Sequence, residues 1–249
     1  MKEPFLFISS DRKNHFPYLF FLILFLVFFT GLMAQKDAAG QFQNSFSSKS
    51  GDDQALLLSF QGSLDLTKMH ETVPGAPPGY YPSPYKTKVG FNVGAFATKP
   101  ILDLGPGDIA AMAGFEFIEK GAKYDMGSVT ETIGLNYIEL PIDVLYELQV
   151  SDLGKAFAGF GPYFGEGVGG KDKYNDGNTS TTNNSFGGNG ANKFDFGIQV
   201  IGGFRLWNKA CLSLSYDFGL TNIRAKNNTD YAHDKNGAFG INISYCMPL

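Results

Sequence analysis

Residues 138–147 read IELPIDVLYE, and apolar side chains alternate along them with acidic ones. One face of an extended chain would carry five large apolar side chains: Ile138, Leu140, Ile142, Val144 and Tyr146. The other face would carry three carboxylates: Glu139, Asp143 and Glu147. A period of two is the pattern of a β-strand whose faces meet different surroundings. The segment therefore predicts a strand with one apolar face and one polar face.

The same alternation recurs along the chain from residue 54 onward, and it predicts eight strands. They lie within residues 54–66, 88–99, 114–117, 138–147, 156–168, 194–206, 212–218 and 239–245. The fifth segment is rich in glycine and contains Pro162, which indicates a bulge or a bend. Glycine (31), phenylalanine (24) and tyrosine (12) are abundant, and no long stretch has the period of an amphipathic helix. The composition favours an all-β protein.

The predicted connections alternate in length. Those after the second, fourth and sixth strands are short, around residues 99–108, 149–155 and 207–210. Those after the first, third, fifth and seventh are longer, around residues 69–85, 120–135, 170–193 and 225–237. Short periplasmic turns opposite long external loops are typical of outer-membrane barrels. We therefore predict a transmembrane antiparallel up-and-down β-barrel of eight strands, with both termini periplasmic. A soluble barrel, the alternative, would show the same alternation without a reason for unequal loops.

The first 34 residues differ in character from the rest of the chain. Lys2, Arg12 and Lys13 precede an apolar run, residues 18–29, and the small residue Ala34 comes just before Gln35. This order predicts a cleaved secretory signal peptide at residues 1–34. A membrane anchor is the alternative, but the run is shorter than the roughly 20 residues that a bilayer requires. Residues 35–53 are polar and predict a flexible lead-in, and residues 54–249 form the barrel domain.

Several kinds of chemistry are poorly supported by the sequence. The formal net charge is −4, whereas a nucleic-acid partner favours a basic stripe. Residues 165–170, GEGVGG, match a dinucleotide motif, but the polar segment after them does not predict the helix that such a site needs. Asp172, Asn175 and Asp176 faintly resemble a calcium loop without its distal glutamate. We predict no catalytic residue, no cofactor and no metal site.

The polar faces of the strands would line the barrel interior. The predicted lumen network consists of Glu116, Glu139, Asp143, Glu147, Asp195, Arg205 and Asp217. Lys88 is a further inward residue, and Lys120 is placed near the rim. Because the interior of an eight-stranded barrel is only wide enough for side chains, we expect a hydrogen-bonded plug of carboxylates around Arg205. A cation-conducting pore is the alternative.

The two cysteines, Cys211 and Cys246, fall on the lumen side of the last two strands, near their periplasmic ends. A hairpin that pairs Ser213 with Ser244 would place them opposite each other. The periplasm is oxidising, so a disulfide is a candidate. Two free thiols remain the alternative, because cross-strand geometry is often unfavourable.

Aromatic and histidine side chains give weaker predictions. Eight aromatic residues near strand ends are candidates for interfacial girdles: Tyr80, Tyr81, Tyr85, Tyr124, Tyr137, Tyr146, Tyr163 and Trp207. His70 and His233 are placed in external loops. Because no Ser–His–Asp order is recognisable, solvated histidines are expected rather than catalytic ones.

Three motifs carry a family resemblance: NYIELP at residues 136–141, GPY at 161–163 and YDFGLTN at 216–222. In this order, residues 86–245 resemble the PorT-like outer-membrane β-barrel family of Bacteroidota. The opening pattern of the family falls on the second strand here, so the count of eight depends on residues 54–66. The resemblance implies an outer-membrane location, contact with outer-membrane lipid and, through the name-giving member, a link to protein secretion.

Three functions remain open from the sequence. The first is a non-enzymatic scaffold or component of protein export or envelope assembly, with other envelope or secretion proteins as partners. The second is a stand-alone surface protein that binds a ligand or a surface through its external loops. The third and least supported is a lipid-modifying enzyme that uses His70 or His233.

Overall fold

The structure is a computed structural model that describes residues 56–73, 75, 85–151, 154–186, 190–206, 209–224 and 232–249. The described residues form these strands: β1 (Leu57–Thr72), β2 (Lys88–Asp103), β3 (Gly107–Met126), β4 (Val129–Ser151), β5 (Gly154–Gly169), β6 (Lys171–Asn175), β7 (Ser180–Asn184), β8 (Phe194–Leu206), β9 (Ala210–Gly219) and β10 (His233–Pro248). The predicted signal peptide, residues 1–34, and the lead-in, residues 35–53, lie outside the described residues.

Eight of these strands close into a ring in the order β1, β2, β3, β4, β5, β8, β9 and β10. The ring closes where β1 pairs with β10, antiparallel, from Leu57 opposite Pro248 to Thr72 opposite His233. In a closed ring every strand has two neighbours, which satisfies the backbone groups where water is absent. The prediction of an eight-stranded antiparallel β-barrel is confirmed, including the first strand on which the count depended.

The two ends of the barrel have different connections. At one end lie Leu57, Pro248 and three short connections, residues 104–106, 152–153 and 207–209. At the other end lie longer connections, residues 73–87, 170–193 and 220–232. Short turns are periplasmic in barrels of this kind, so we call the first end periplasmic and the second external.

The prediction of a long loop over residues 120–135 was wrong. There β3 and β4 remain paired up to Met126 opposite Val129, so the connection is a turn of two residues, Gly127 and Ser128. Gly127 has a φ of +66°, a left-handed conformation that glycine adopts without a steric penalty. Apolar and polar side chains do not alternate clearly over these residues, because neither face of this segment contacts only hydrocarbon or only the lumen. The backbones of β3 and β4 nevertheless remain paired.

The connection over residues 170–193, predicted as a flexible loop, also contains structure. Its strand β6 pairs with residues 130–133 of β4, and β7 pairs with β6 from Lys171 opposite Asn184 to Asn175 opposite Ser180. We call residues 121–126 of β3, residues 129–134 of β4, β6 and β7 the external sheet. This sheet extends one wall of the barrel beyond the eight-stranded ring.

Large apolar side chains cover the outside of the barrel and form an apolar belt. On β1, β2, β9 and β10, the exposed members are Phe60, Leu64, Leu66, Val89, Phe91, Val93, Leu212, Leu214, Phe218, Ile241, Ile243 and Tyr245. A water-soluble barrel would bury such side chains, whereas a membrane barrel presents them to lipid. Within the described residues, no helix is long and apolar enough to cross a membrane.

The glycines of β5 allow a close approach to β4. A Cβ atom on Gly161 would collide with the backbone carbonyl of Ile142, so a larger residue would force the two strands apart. The irregularity predicted for β5 lies elsewhere, at Val168, because Asn136 pairs with Gly169 and Tyr137 pairs with Gly167. The backbone passes Pro162 without a shift in register.

Candidate functional site

Side chains fill the barrel interior in successive layers, and β4 contributes to each of them. From the periplasmic end outward, its buried side chains include Glu147, Leu145, Asp143, Glu139 and Tyr137. The order is thus an ion-pair layer, an apolar layer, a carboxylate layer and an external aromatic layer. This filling is what the diameter of an eight-stranded barrel permits.

Lys120 of β3 is the cation at the centre of the carboxylate layer. Its Nζ lies 2.8 Å from Glu139 Oε1 and 3.1 Å from Asp217 Oδ2. Asp195 Oδ2 lies 3.7 Å away. The side chains of Lys120, Glu139 and Asp195 are 0% exposed. A cation in this position offsets part of the cost of burying several carboxylates.

Neutral polar groups complete the surroundings of these carboxylates. The Tyr163 hydroxyl donates to Asp195 over 3.4 Å, and the Asn236 amide donates to the same carboxylate over 2.9 Å. The Gln199 amide donates to Asp217 over 3.0 Å. The Tyr163 ring also lies 4.1 Å from Lys120 Nζ, close enough for a cation–π interaction. Residues from β3, β5, β8, β9 and β10 are therefore held in one network.

Three further buried carboxylates lie near this network. Glu116 and Asp143 are 3% and 1% exposed, and Asp65 of β1 joins them with 1% exposure. The Ser63 hydroxyl lies 2.9 Å from both oxygens of Asp65. Asp65 was not in the predicted network, although its position on the polar face of the first strand was the available signal.

Arg205 and Lys120 have exchanged the roles predicted for them. Arg205 forms two contacts with Glu147, of 2.8 Å and 3.2 Å, in the periplasmic layer rather than in the centre. Lys120, which the sequence placed near the rim, lies deep inside because β3 and β4 continue beyond it to Met126 and Val129. The length of β3 and β4 therefore decides which cation is central. The sequence did not reveal this length, because the alternation is weak in the external part of both strands.

Cys211 and Cys246 are both buried and free, and their sulfur atoms lie 2.9 Å apart. They are not directly opposite, because Cys211 pairs with Ser244 and Ser213 pairs with Asn242. The predicted register was thus wrong by two residues, yet the sulfurs meet along the diagonal. A cavity of about 30 Å³ adjoins both cysteines and Arg205, which is room for a water molecule.

An apolar cap closes the external end of the lumen. We use this name for the buried cluster of Met69, Ile118, Ala122, Leu135, Tyr137, Ile223 and Ala238, with Tyr85, Ile133, Phe186 and Ala191 packed against it. The rings of Tyr137 and Phe186 meet edge to face with centroids 5.4 Å apart. Phe186 and Ile223 come from the connections after β7 and β9, so side chains outside the eight-stranded ring contribute to the cap.

Several aromatic and histidine positions differ from the prediction. Tyr137 and Tyr163 are fully buried in the lumen rather than at an interface, whereas Tyr146 does face outward. Tyr80, Tyr81 and Trp207 lie outside the described residues. His70 lies on β1 and His233 begins β10, so neither is in a loop. Within the described part of the chain, neither imidazole is hydrogen-bonded to a hydroxyl or a carboxylate.

The external sheet contains two acidic features. The pKa of Glu131 is raised to about 7 because the side chain is partly buried and lies beside Asp172. In the turn after β6, Asp176 accepts backbone hydrogen bonds from Thr179 and Asn178, at 2.6 Å and 2.9 Å, which lower its pKa. Among the described residues, no group of three or more His, Cys, Asp or Glu side chains is arranged to hold a metal ion.

A closed ring with an apolar exterior and an interior filled with side chains defines an outer-membrane β-barrel protein. Residues 39–225 match the family described as outer membrane protein beta-barrel domain. The match spans three quarters of the chain, and the protein belongs to this family. No curated protein sequence matches the chain.

Solved outer-membrane proteins resemble the chain at low identity. The attachment invasion locus protein Ail of Yersinia pestis is 12% identical, with 78% of this chain and 99% of Ail covered and a TM-score of 0.36. Neisserial surface protein A is 10% identical, with 77% and 97% covered and a TM-score of 0.40. OprG of Pseudomonas aeruginosa is 12% identical, with 79% and 98% covered and a TM-score of 0.35.

Proposed function

We propose that the protein is a non-enzymatic, non-conducting outer-membrane barrel that binds an extracellular protein partner through the free edge of its external sheet. The observation that carries this proposal is strand β7, which lies at the end of the sheet order and pairs only with β6 among the described strands. This proposal corresponds to the second function that the sequence left open, a surface protein that binds a ligand or a surface through its external loops.

The lumen offers little support for transport or chemistry. Tyr163, Lys120 and Glu139 fill its centre with side chains that are 0% exposed. The apolar cap lies above them, and the ion pair of Arg205 and Glu147 lies below. A solute would have to displace both an apolar cluster and a charge network to pass, which makes a permanent path unfavourable.

The edge of β7 lacks the features that usually prevent pairing with another chain. Proteins protect edge strands with charged residues, proline or bulges. The five residues of β7 are Ser180, Thr181, Thr182, Asn183 and Asn184, all exposed. They pair with β6 in an unbroken register, and none is charged or a proline. An extended segment of a partner could therefore add to this edge through backbone hydrogen bonds.

The turn before β7 keeps the edge in a defined position. Asp176 accepts hydrogen bonds from two backbone amides of the turn, and Asn175 accepts another from Gly177 over 2.8 Å. A strand that is already ordered loses less conformational entropy on binding than a flexible loop. Since β7 carries no charge, we expect a partner segment with uncharged polar or small side chains.

A role in protein export or envelope assembly, implied by the PorT-like resemblance, is a particular form of this proposal. The edge strand would then bind another envelope or secretion protein. The connections at the periplasmic end are only two or three residues long, at residues 104–106, 152–153 and 207–209. We therefore place the partner outside. The identity of the captured partner distinguishes this form from adhesion to a foreign surface.

The test is a hairpin deletion that leaves the barrel closed. Ser185 N donates to Gly170 O over 3.3 Å, so residues 171–184 can be replaced by an Asn-Gly turn without stretching the chain. Phe186, which belongs to the apolar cap, stays in place. Intact cells expressing either form are cross-linked, and the barrel is purified and examined by mass spectrometry.

We expect the native form to capture a stoichiometric partner and the deletion form to insert equally well without it. Heat-modifiable migration on gels checks insertion, because a folded barrel migrates differently from the unfolded chain. The same partner on both forms, or a native barrel that carries only lipid, would overturn the proposal. A partner set of secretion or assembly proteins would establish the export form.

A further inference from the structure

Basic side chains are concentrated on the outward face of β1 and β10, just outside the apolar belt. Lys68 and His70 of β1 face outward and are exposed, and His233 and Lys235 of β10 continue the same face. Their register brings them together, because His70 pairs with Lys235 and Lys68 pairs with Gly237. We call these four residues the basic patch.

The acidic residues of the same strand segments all face the other way. Glu71 and Asp234 are 8% and 4% exposed on the inward side. Both are bound by Arg224, whose Nη2 lies 3.4 Å from Glu71 and whose Nε lies 2.8 Å from Asp234. The outward face over residues 66–72 and 233–241 therefore carries basic groups with no carboxylate among them.

The basic patch continues directly from the apolar belt. Lys68 follows Leu66, which is 48% exposed, by one outward position. On β10, Gly237 and Phe239 connect Lys235 to Ile241, which is 54% exposed. A lipid whose acyl chains lie along Leu66 and Ile241 would thus bring its headgroup to the level of the two lysines, whose stems can lie along the apolar surface.

Two polar side-chain groups converge on Gly237. A Cβ atom placed on Gly237 would lie 3.1 Å from the Tyr216 hydroxyl and 3.2 Å from His70 Nε2. The absence of a side chain thus lets a hydroxyl and an imidazole nitrogen approach each other beside Lys68. Convergent donors of this kind suit the oxygen atoms of a phosphate group.

We propose that the basic patch binds the phosphate group of an anionic glycolipid in the outer leaflet, with Lys68 and Lys235 as the charged contacts. A membrane lipid is favoured over a free anion because the patch and the apolar belt form one continuous surface. The contact is local, since the outward positions next to the belt on β3 and β5 are the acidic Glu119 and Glu166. The lipid is therefore bound at one wall of the barrel.

The test uses the protein purified from the outer membrane and exchanged into a neutral detergent, titrated with bisphosphorylated lipid A. The variant is Lys68→Gln with Lys235→Gln. The matched control is Lys171→Gln with Lys173→Gln, which removes two exposed lysines of β6 that lie away from the belt. Native mass spectrometry counts the bound lipid, and heat-modifiable migration confirms folding.

A basic residue near an anionic headgroup contributes about 1 kcal/mol, which corresponds to about fivefold in affinity per lysine. We therefore expect the patch variant to bind lipid A about 25-fold more weakly and the control variant to bind like the native protein. Dephosphorylated lipid A should bind the native protein as weakly as lipid A binds the variant. Gly237→Ala, which would displace the Tyr216 hydroxyl and the His70 imidazole without changing charge, should also weaken binding.

Equal binding by the native and patch-variant proteins would overturn the proposal. So would equal binding of phosphorylated and dephosphorylated lipid A. Competition by inorganic phosphate at the concentration of the lipid would overturn the assignment to a membrane lipid. None of these outcomes depends on the edge strand β7, so the inference stands apart from the proposed function.

Discussion

Lys120 of β3 and Glu139 of β4 form an ion pair of 2.8 Å in which both side chains are 0% exposed. The two residues lie on neighbouring strands but are not paired with each other, because Lys120 is opposite Leu135 while Glu139 is opposite Glu116. The lysine therefore reaches along the barrel axis to the carboxylates, past the level of Tyr137.

We predict that Lys120→Met strongly destabilises the barrel. Removing one partner of a buried ion pair leaves uncompensated charge and costs about 3–5 kcal/mol, here with three carboxylates near the lost cation. Urea unfolding of the protein reconstituted in lipid vesicles measures the change. Lys173→Met, at an exposed position of β6, is the matched control and should change the stability little.

A compensated variant separates charge from packing. When Glu139→Gln and Asp217→Asn accompany Lys120→Met, most of the buried negative charge near the lysine position is removed. We expect much of the lost free energy of unfolding to return. No recovery in the triple variant would show that lysine packing, rather than charge compensation, is the source of the stability.

The filled lumen predicts that the native protein does not conduct ions. The layer around Lys120 and the apolar cap above it leave no open path through the described part of the barrel. In planar lipid bilayers we expect no steady conductance, with a general porin as the positive control. Steady, cation-selective steps would contradict the plug and restore the alternative of a pore lined by carboxylates.

Cys211 and Cys246 are predicted to form a disulfide in the exported protein. Their sulfur atoms lie 2.9 Å apart, and the predicted periplasmic end of the barrel meets an oxidising compartment. The bond would close a loop between β9 and β10 and stabilise the barrel by about 2–4 kcal/mol. Mass spectrometry of the alkylated protein, with and without reduction, detects it, and Cys211→Ser with Cys246→Ser is the control. Alkylation of both thiols without reduction would contradict the prediction.

The seam between β4 and β6 should depend on pH. The pKa of Glu131 is raised from an ordinary 4.5 to about 7 by burial and by Asp172, so the folded sheet binds this proton more tightly than the unfolded chain. The corresponding stability is fully present below about pH 4.5 and is lost as the pH rises through about 7. Hydrogen exchange at β6 should therefore be slower at pH 5 than at pH 8 after correction for intrinsic rates.

Glu131→Gln should remove most of this pH dependence and protect β6 several-fold better at pH 8. Asp125→Asn is the control, because Asp125 is an exposed residue of the external sheet that binds Lys86 over 3.0 Å. The prediction fails if the pH dependence of β6 survives in the Glu131 variant or disappears in the control.

The sequence by itself determined the barrel, its strand count and the sidedness of its strands. Alternation along segments such as residues 138–147 is a local property, because successive side chains of a strand point to opposite faces. Residues 57–66 and 239–245 show the same period and do pair around the closure of the ring. The alternation along each strand was enough to predict that Glu116, Asp143 and Asp217 face inward, without knowledge of any contact.

Only the tertiary structure decided where the strands end, which residues of neighbouring strands are opposite each other and which charged side chains are in contact. The external sheet continues without a periodic pattern because backbone pairing sustains it, and this extension moves Lys120 from the expected rim to the centre. Register places Cys211 opposite Ser244 rather than Cys246. Period two fixes which face a side chain occupies, but its partner across the lumen depends on strand length and stagger, which the closed ring sets as a whole.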